Sequence, residues 1–274
     1  MSNEVRTGGS ESSASHTAGG EPLSPILHRA SEVLSRRHWP SWMLLALAAG
    51  AVNAGAFVAC ERFVSHMTGI VSRIGLDAGM WSLMVEYALV LVSFIGGAMT
   101  SVIAIQARVI RGKRPLHALP LLAVAIVLAI VGFAGHLGAF GSIGGQVEEA
   151  PDFEFLCVLA FAMGLMNASV ATSTALSVRT THMTGPATDF GVHLAIACLT
   201  TGEERQSALR LAALRGGKLV SFSVGAVLMV PAMGALGYLA FAAPAGLVLI
   251  ATVRSFLPKG SDTDARQAAL PAAF

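Results

Sequence analysis

The chain has 274 residues, of which 54% are hydrophobic and only 12% charged, with a formal net charge of +2 and a mean hydropathy of +0.67. A soluble domain carries about a quarter charged residues, so this composition excludes an ordinary soluble enzyme or a nucleic-acid-binding module. The charges are also segregated: Pro40 to Cys60, Tyr87 to Ala107, Leu116 to Val147, Phe155 to Val178 and Leu219 to Val253 contain no Asp, Glu, Lys or Arg. Stretches of about 20 apolar residues span a bilayer, so an all-α, multi-pass membrane protein is expected, with lipid as its surroundings.

Residues 1–25 are rich in Ser, Gly, Glu and Thr and read as a solvated tail, the disordered region extending to residue 38. No apolar run follows the start, so a cleavable signal is not expected. Arg36, Arg37 and His38 precede the first apolar run and would hold the N-terminus in the cytoplasm. The spans expected in order are Trp39–Cys60, Met80–Ala107, Leu116–Phe140 and Phe155–Val178, with two more between Leu219 and Phe256. The break between these last two is expected near Pro231, Gly234 and Gly237. With the N-terminus inside, the basic segments at 108–114 and 202–218 and the tail at 257–274 all fall inside. The acidic loop holding Glu148, Glu149, Asp152 and Glu154 falls outside. Six spans therefore satisfy the positive-inside bias, with both termini cytoplasmic. Cys60, Cys157 and Cys198 are isolated and imply neither a disulfide framework nor a zinc site.

The tetrapeptide His-Met-Thr-Gly occurs twice, at 66–69 and at 182–185. Each copy is preceded by a G-x-x-N pattern, Gly50 to Asn53 and Gly164 to Asn167, and followed six residues past its glycine by Gly75 or Gly191. Recurrence in the same order points to an internal duplication, with repeat one over 39–140 and repeat two over 153–256. Three spans per repeat invert the second copy in the membrane, the arrangement of many transporters, whose substrate site lies near the midplane between the copies. Each motif is expected to open a half-helix or re-entrant segment, with Thr68 or Thr184 near its N-cap.

Asn53 with the following "FVSHMTG", and "VRTTHMTGPATDFG" in the second half, resemble the signature stretches of the YoaK family, bacterial membrane proteins built around a domain of unknown function. The resemblance covers about residues 40–256 and implies a six-span inner-membrane protein without supplying a substrate. Family members often continue the first copy with asparagine, where this chain has Ile70.

Seven and eleven residues beyond each histidine stand Arg73 and Asp77 in the first copy and Asp189 and His193 in the second. On a helix these offsets share a face. Symmetric positions approach one pseudo-two-fold axis, so Arg73 with Asp189, and Asp77 with His193, are expected to pair across it. Ionisable groups within a bilayer mark an ion or substrate path. The expected substrate-binding set is therefore Asn53, His66, Thr68, Gly69, Arg73, Asp77, Asn167, His182, Thr184, Gly185, Asp189 and His193. A carboxylate beside a histidine could also relay protons.

Elsewhere, Glu86 reads as an interfacial carboxylate beside Trp81 and Tyr87, His136 as a packed histidine, and Gly96 and Gly97 as helix-packing residues. No GxSxG, HExxH or P-loop pattern is present, and no resident cofactor is implied. The leading expectation is a small secondary transporter or permease, proton-coupled if the histidines exchange protons, for an unidentified small molecule or ion. The alternatives are an intramembrane metal site or enzyme using His66, His182, Asp189 and His193, and a structural or regulatory membrane protein without flux. Neither the oligomeric state nor the substrate is legible in the chain.

Overall fold

In the computed structural model, the structure describes residue 24, residues 26–28, 30–33 and 35, and then 37–144 and 150–257. These residues form α1 (Ala30–Val33), α2 (Trp39–Cys60), α3 (Met67–Leu76), α4 (Trp81–Ile110), α5 (Ala118–His136), α6 (Ala150–Ser173), α7 (Thr184–Leu199), α8 (Gly202–Leu236) and α9 (Ala242–Ser255). A short 3-10 turn, Gly237–Phe241, joins the last two, and no strand occurs among the described residues. The acidic loop at 145–149 and most of the N-terminal tail lie outside the described residues.

Five stretches are long and apolar enough to cross a membrane: Trp39–Cys60, Trp81–Ile110, Ala118–His136, Asp152–Ser173 and Gly202–Ser255. The protein is thus a multi-pass helical membrane protein. The fifth stretch holds two helices, and its uncharged run begins only after Lys218. Pro231 is accommodated inside α8, and the break falls six residues later at Gly237, whose φ of 58° suits a residue without Cβ.

Glycines set how closely the long helices approach. A Cβ on Gly50 would run into the carbonyl oxygen of Phe222, and one on Gly225 into that of Leu47. The same holds for Gly164 against Phe94 and for Gly97 against Phe161. Small residues that let backbones meet are how helices associate where lipid is as apolar as the side chains. These contacts dock α2 on α8, and α4 on α6, each pair running parallel, since Gly217 meets Met43 near the start of α2 and Gly55 meets Met229 farther along.

The other pairs are antiparallel. Phe241 touches Gly55, and Ser255 lies 3.0 Å from His38, so α9 runs against α2. Ser169 donates to the His117 carbonyl at one end of α5, while Phe140 packs on Phe155 beyond the other, so α6 runs against α5. The bundle therefore has two faces. One, here the terminal face, carries Trp39, His117, Ser173 and Ser255; the distal face carries Cys60, Phe140, Phe155 and Tyr238.

Part of the segment expected to be disordered is docked. The backbone amides of Leu27 and His28 donate to the Ser173 carbonyl at the end of α6, 2.9 and 2.8 Å away. His28 then packs edge-on against Trp42 and Phe256, and Trp42 donates to the Val33 carbonyl. The physical reason is local: Ile26, Leu27 and Val33 interrupt the polar composition, and the last turn of α6 offers carbonyls with no helical partner. His136 is exposed in the last turn of α5 rather than packed.

A candidate site between two copies of one motif

Each motif is held by the asparagine before it. Asn53 lies seven residues, about 10 Å, before the end of α2. That helix stops at Glu61, a non-glycine residue in the left-handed region at φ 54°. The chain then turns back, and the Ser65 amide donates to Asn53 Oδ1 at 3.1 Å, while Asn53 Nδ2 donates to Ser65 Oγ and to the Ala49 carbonyl. In the second copy α6 ends before Ala175 and Leu176, at φ 47° and 63°. There the Thr181 amide donates to Asn167 Oδ1 at 3.3 Å, with Thr180 Oγ1 3.5 Å from the same oxygen. The residue before each histidine is thus tied to the asparagine side chain of the preceding helix. Their recurrence has a structural cause: a mid-helix amide returns the chain towards the bundle centre.

Within each tetrapeptide the glycine makes room for the histidine. A Cβ on Gly69 would run into the His66 ring, and one on Gly185 would approach His182 Cε1 to 2.6 Å. Thr68 and Thr184 lie in the first turns of α3 and α7, and the N-cap positions fall instead to His66 and Met183, neither making a side-chain cap bond. Gly75 and Gly191 have open space around them, and nothing in the packing explains their recurrence.

Both tetrapeptides border one cavity of about 460 Å³. Its lining falls into matched pairs. Asn53 answers Asn167, Ser65 answers Thr181, and His66, Met67 and Thr68 answer His182, Met183 and Thr184. Phe94, three residues before Gly97, answers Phe222, three residues before Gly225. The one pair that differs in character is the residue three before each histidine, Phe63 in the first copy and Arg179 in the second. Among the described residues, Arg179 is the only formally charged one lining this cavity.

Two further cavities flank it. On the distal side, His66, Phe63, Gly69 and Arg73 join Glu61, Arg62, Glu86 and Tyr87 around about 240 Å³. Arg62 stands 5.8 Å from the centroid of the Tyr87 ring, and Glu86 Oε2 is buried without a hydrogen-bond partner. On the terminal side, His182, Arg179, Gly185 and Asp189 join Arg215 and Lys218 around about 230 Å³. Asp189 forms an ion pair with Arg215, Oδ2 to Nε 3.2 Å, without hydrogen-bond alignment at Nε. Arg215 also donates to the Ser177 carbonyl, and Lys218, only 1% exposed, donates to the carbonyl of Arg179. His66 therefore sits between the central and distal cavities, and His182 between the central and terminal ones.

Of the residues expected at the site, Asn53, His66, Thr68, Asn167, His182 and Thr184 share the central cavity. Gly69 and Arg73 line the distal one, and Gly185 and Asp189 the terminal one. Asp77 ends α3, where its amide bonds the Arg73 carbonyl, and His193 lies on α7; neither lines any of the three cavities. The expected pairing of Arg73 with Asp189, and of Asp77 with His193, does not occur. Arg73 and Asp189 lie in separate cavities on opposite faces, because α3 packs on α4 at the distal face and α7 on α8 at the terminal face. Nor do His66, His182, Asp189 and His193 converge, and among the described residues no three His, Cys, Asp or Glu side chains form a metal-binding group.

The sequence reading missed Arg179, Arg215, Lys218 and the three phenylalanines of the central cavity. The signal for Arg179 was available: laying the motifs on each other sets it opposite Phe63, a contrast at a duplicated position. The chain belongs to the DUF1275 family. That family, described as a protein of unknown function, matches residues 41–254, consistent with the YoaK resemblance. Neither a curated protein nor a solved structure matches the chain.

Proposed function

We propose that this member of the DUF1275 family is a small secondary transporter of the bacterial inner membrane, built as two inverted three-span repeats with its substrate site in the central cavity. Repeat one comprises α2, α4 and α5 with α3; repeat two comprises α6, α8 and α9 with α7. The 3-10 turn and α9 together reach about 31 Å, enough to count as a sixth crossing of a core about 30 Å thick. Arg108, Arg111, Lys113, Arg114, Arg205, Arg210, Arg215, Lys218 and Arg254 all belong to the terminal face. That bias makes the terminal face cytoplasmic.

The observation that carries the reading is the row of three cavities. The central one is lined pair by pair from both copies, and each neighbour shares one motif histidine with it and lies towards one face. A site between symmetric halves with a route towards each side is what alternating access requires. Histidine at both junctions also supplies ring nitrogens that can donate or accept a proton, which fits coupling to a proton gradient.

The test is uptake into vesicles reconstituted with purified protein. His66→Ala and His182→Ala should each abolish uptake while leaving the protein folded, because both side chains are exposed to the cavities rather than buried in the packing. Undiminished uptake in either variant would remove the histidines from the path.

A further inference from the structure

The central cavity is symmetric in nearly every lining position, so a difference between paired positions tells how a bound molecule lies. Phe63 stacks on Phe57, ring centroids 4.8 Å apart, and makes the first-copy end of the cavity aromatic. Arg179 makes the opposite end cationic, and no carboxylate lines the cavity or pairs with Arg179 among the described residues. The adjoining terminal cavity holds three cations and one carboxylate, and that carboxylate, Asp189, is engaged by Arg215. An unpaired guanidinium exposed to the cavity is suited to a planar anion, which it can bind through two parallel hydrogen bonds. The walls between the ends are Phe94, Phe222, Met67 and Met183, and the volume of about 460 Å³ fits a small organic molecule better than a halide or nitrate.

We infer that the transported molecule is an organic monocarboxylate with an apolar body, its carboxylate on Arg179 and its apolar end against Phe63. This rests on the central cavity being the transport site. The hydroxyls of Thr68 and Thr184 and the first turns of α3 and α7 face the space between and would accept a polar substituent. Arg179 is a binding residue that can be changed safely, because its own carbonyl, not its side chain, receives the Lys218 ammonium.

The test uses the purified full chain with a panel of aryl and alkyl monocarboxylates, among them benzoate and hexanoate, each matched by its amide and its amine. Thermal stabilisation in detergent reports binding, and uptake into reconstituted vesicles reports transport. Carboxylates should stabilise saturably where their amides and amines do not. Arg179→Gln should weaken that binding by roughly tenfold or more, and Arg179→Lys by much less. The inference falls if no carboxylate of the panel stabilises the protein, if amides or amines do so equally, or if Arg179→Gln leaves carboxylate binding unchanged. Binding that depends on Arg179 without uptake would defeat the transport reading and leave the ligand class standing. Uptake of an amine would do the reverse.

Discussion

The two halves of the molecule agree where they meet and diverge where they end. Around the central cavity, asparagine answers asparagine and histidine answers histidine, and the glycines that seat α2 on α8 seat α4 on α6 by the same backbone contacts. One helical turn or two farther out the correspondence turns into contrast. Arg73 stands where the other half has Asp189, Tyr87 where it has Arg215, and Val90 where it has Lys218. The backbone contacts match in the two halves, while the side-chain chemistry towards the distal and terminal faces differs.

The largest expected break in that balance comes from acid, because the terminal face has a histidine cluster contributed by the first half alone. His28 is held down to about 3, chiefly by burial and then by the charges of His38, His117 and Arg37. Burial lowers His117 to about 4. Both values lie below the unfolded value of about 6.5, so the unfolded chain takes up these protons first. Stability is therefore complete above about pH 6.5 and falls as the pH drops towards 4. Between pH 7 and pH 5 each histidine should account for a loss of about 2 kcal/mol, seen as a falling thermal midpoint, and His117→Phe should flatten the slope. A pH-independent midpoint would show that neither ring is neutral and enclosed.

Next in size are the glycines. Gly50→Val and Gly164→Val each force a side chain against backbone and should cost about 3 kcal/mol, nearly alike, since their surroundings match. Unequal losses would mean the two interfaces differ in how far they can yield. The asparagines should separate the copies more finely. Asn53 makes three side-chain hydrogen bonds and Asn167 two longer ones, so Asn53→Ala should cost about 2 kcal/mol and Asn167→Ala about 1 in thermal unfolding. The smallest effect on stability belongs to Asp189→Asn. Its carboxylate is 46% exposed, and a solvent-exposed ion pair contributes less than about 1 kcal/mol. On the proposed transport function, vesicle uptake should nonetheless change, because the variant leaves Arg215 uncompensated in the terminal cavity.

Much of this architecture was legible in the chain. The first span is bounded by Trp39 and Cys60 in the sequence and in the structure alike, because charge ends sharply at both places. The repeated tetrapeptide located the central cavity, since His, Thr and Gly at a fixed distance from a mid-helix asparagine serve a local backbone turn. What the sequence could not convey was direction. Offsets of seven and eleven residues place Arg73 and Asp189 on equivalent helical faces, but not on opposite sides of the bundle. Arg179 escaped because it precedes the repeated residues instead of repeating, and Lys218 because a basic segment reads as solvated until a carbonyl is found at its ammonium.

The short segment at residues 26–28 sets an order of assembly. Its partners come from far along the chain, the end of α6, through Ser173, and Phe256 just beyond α9. Its contacts are complete only once α9 is in place, so it works as a latch whose last point of closure is Phe256. A chain truncated before α9 would lose Phe256 from beside the His28 ring and leave that ring more exposed at the terminal face, a signature by which a shortened copy differs from the full one.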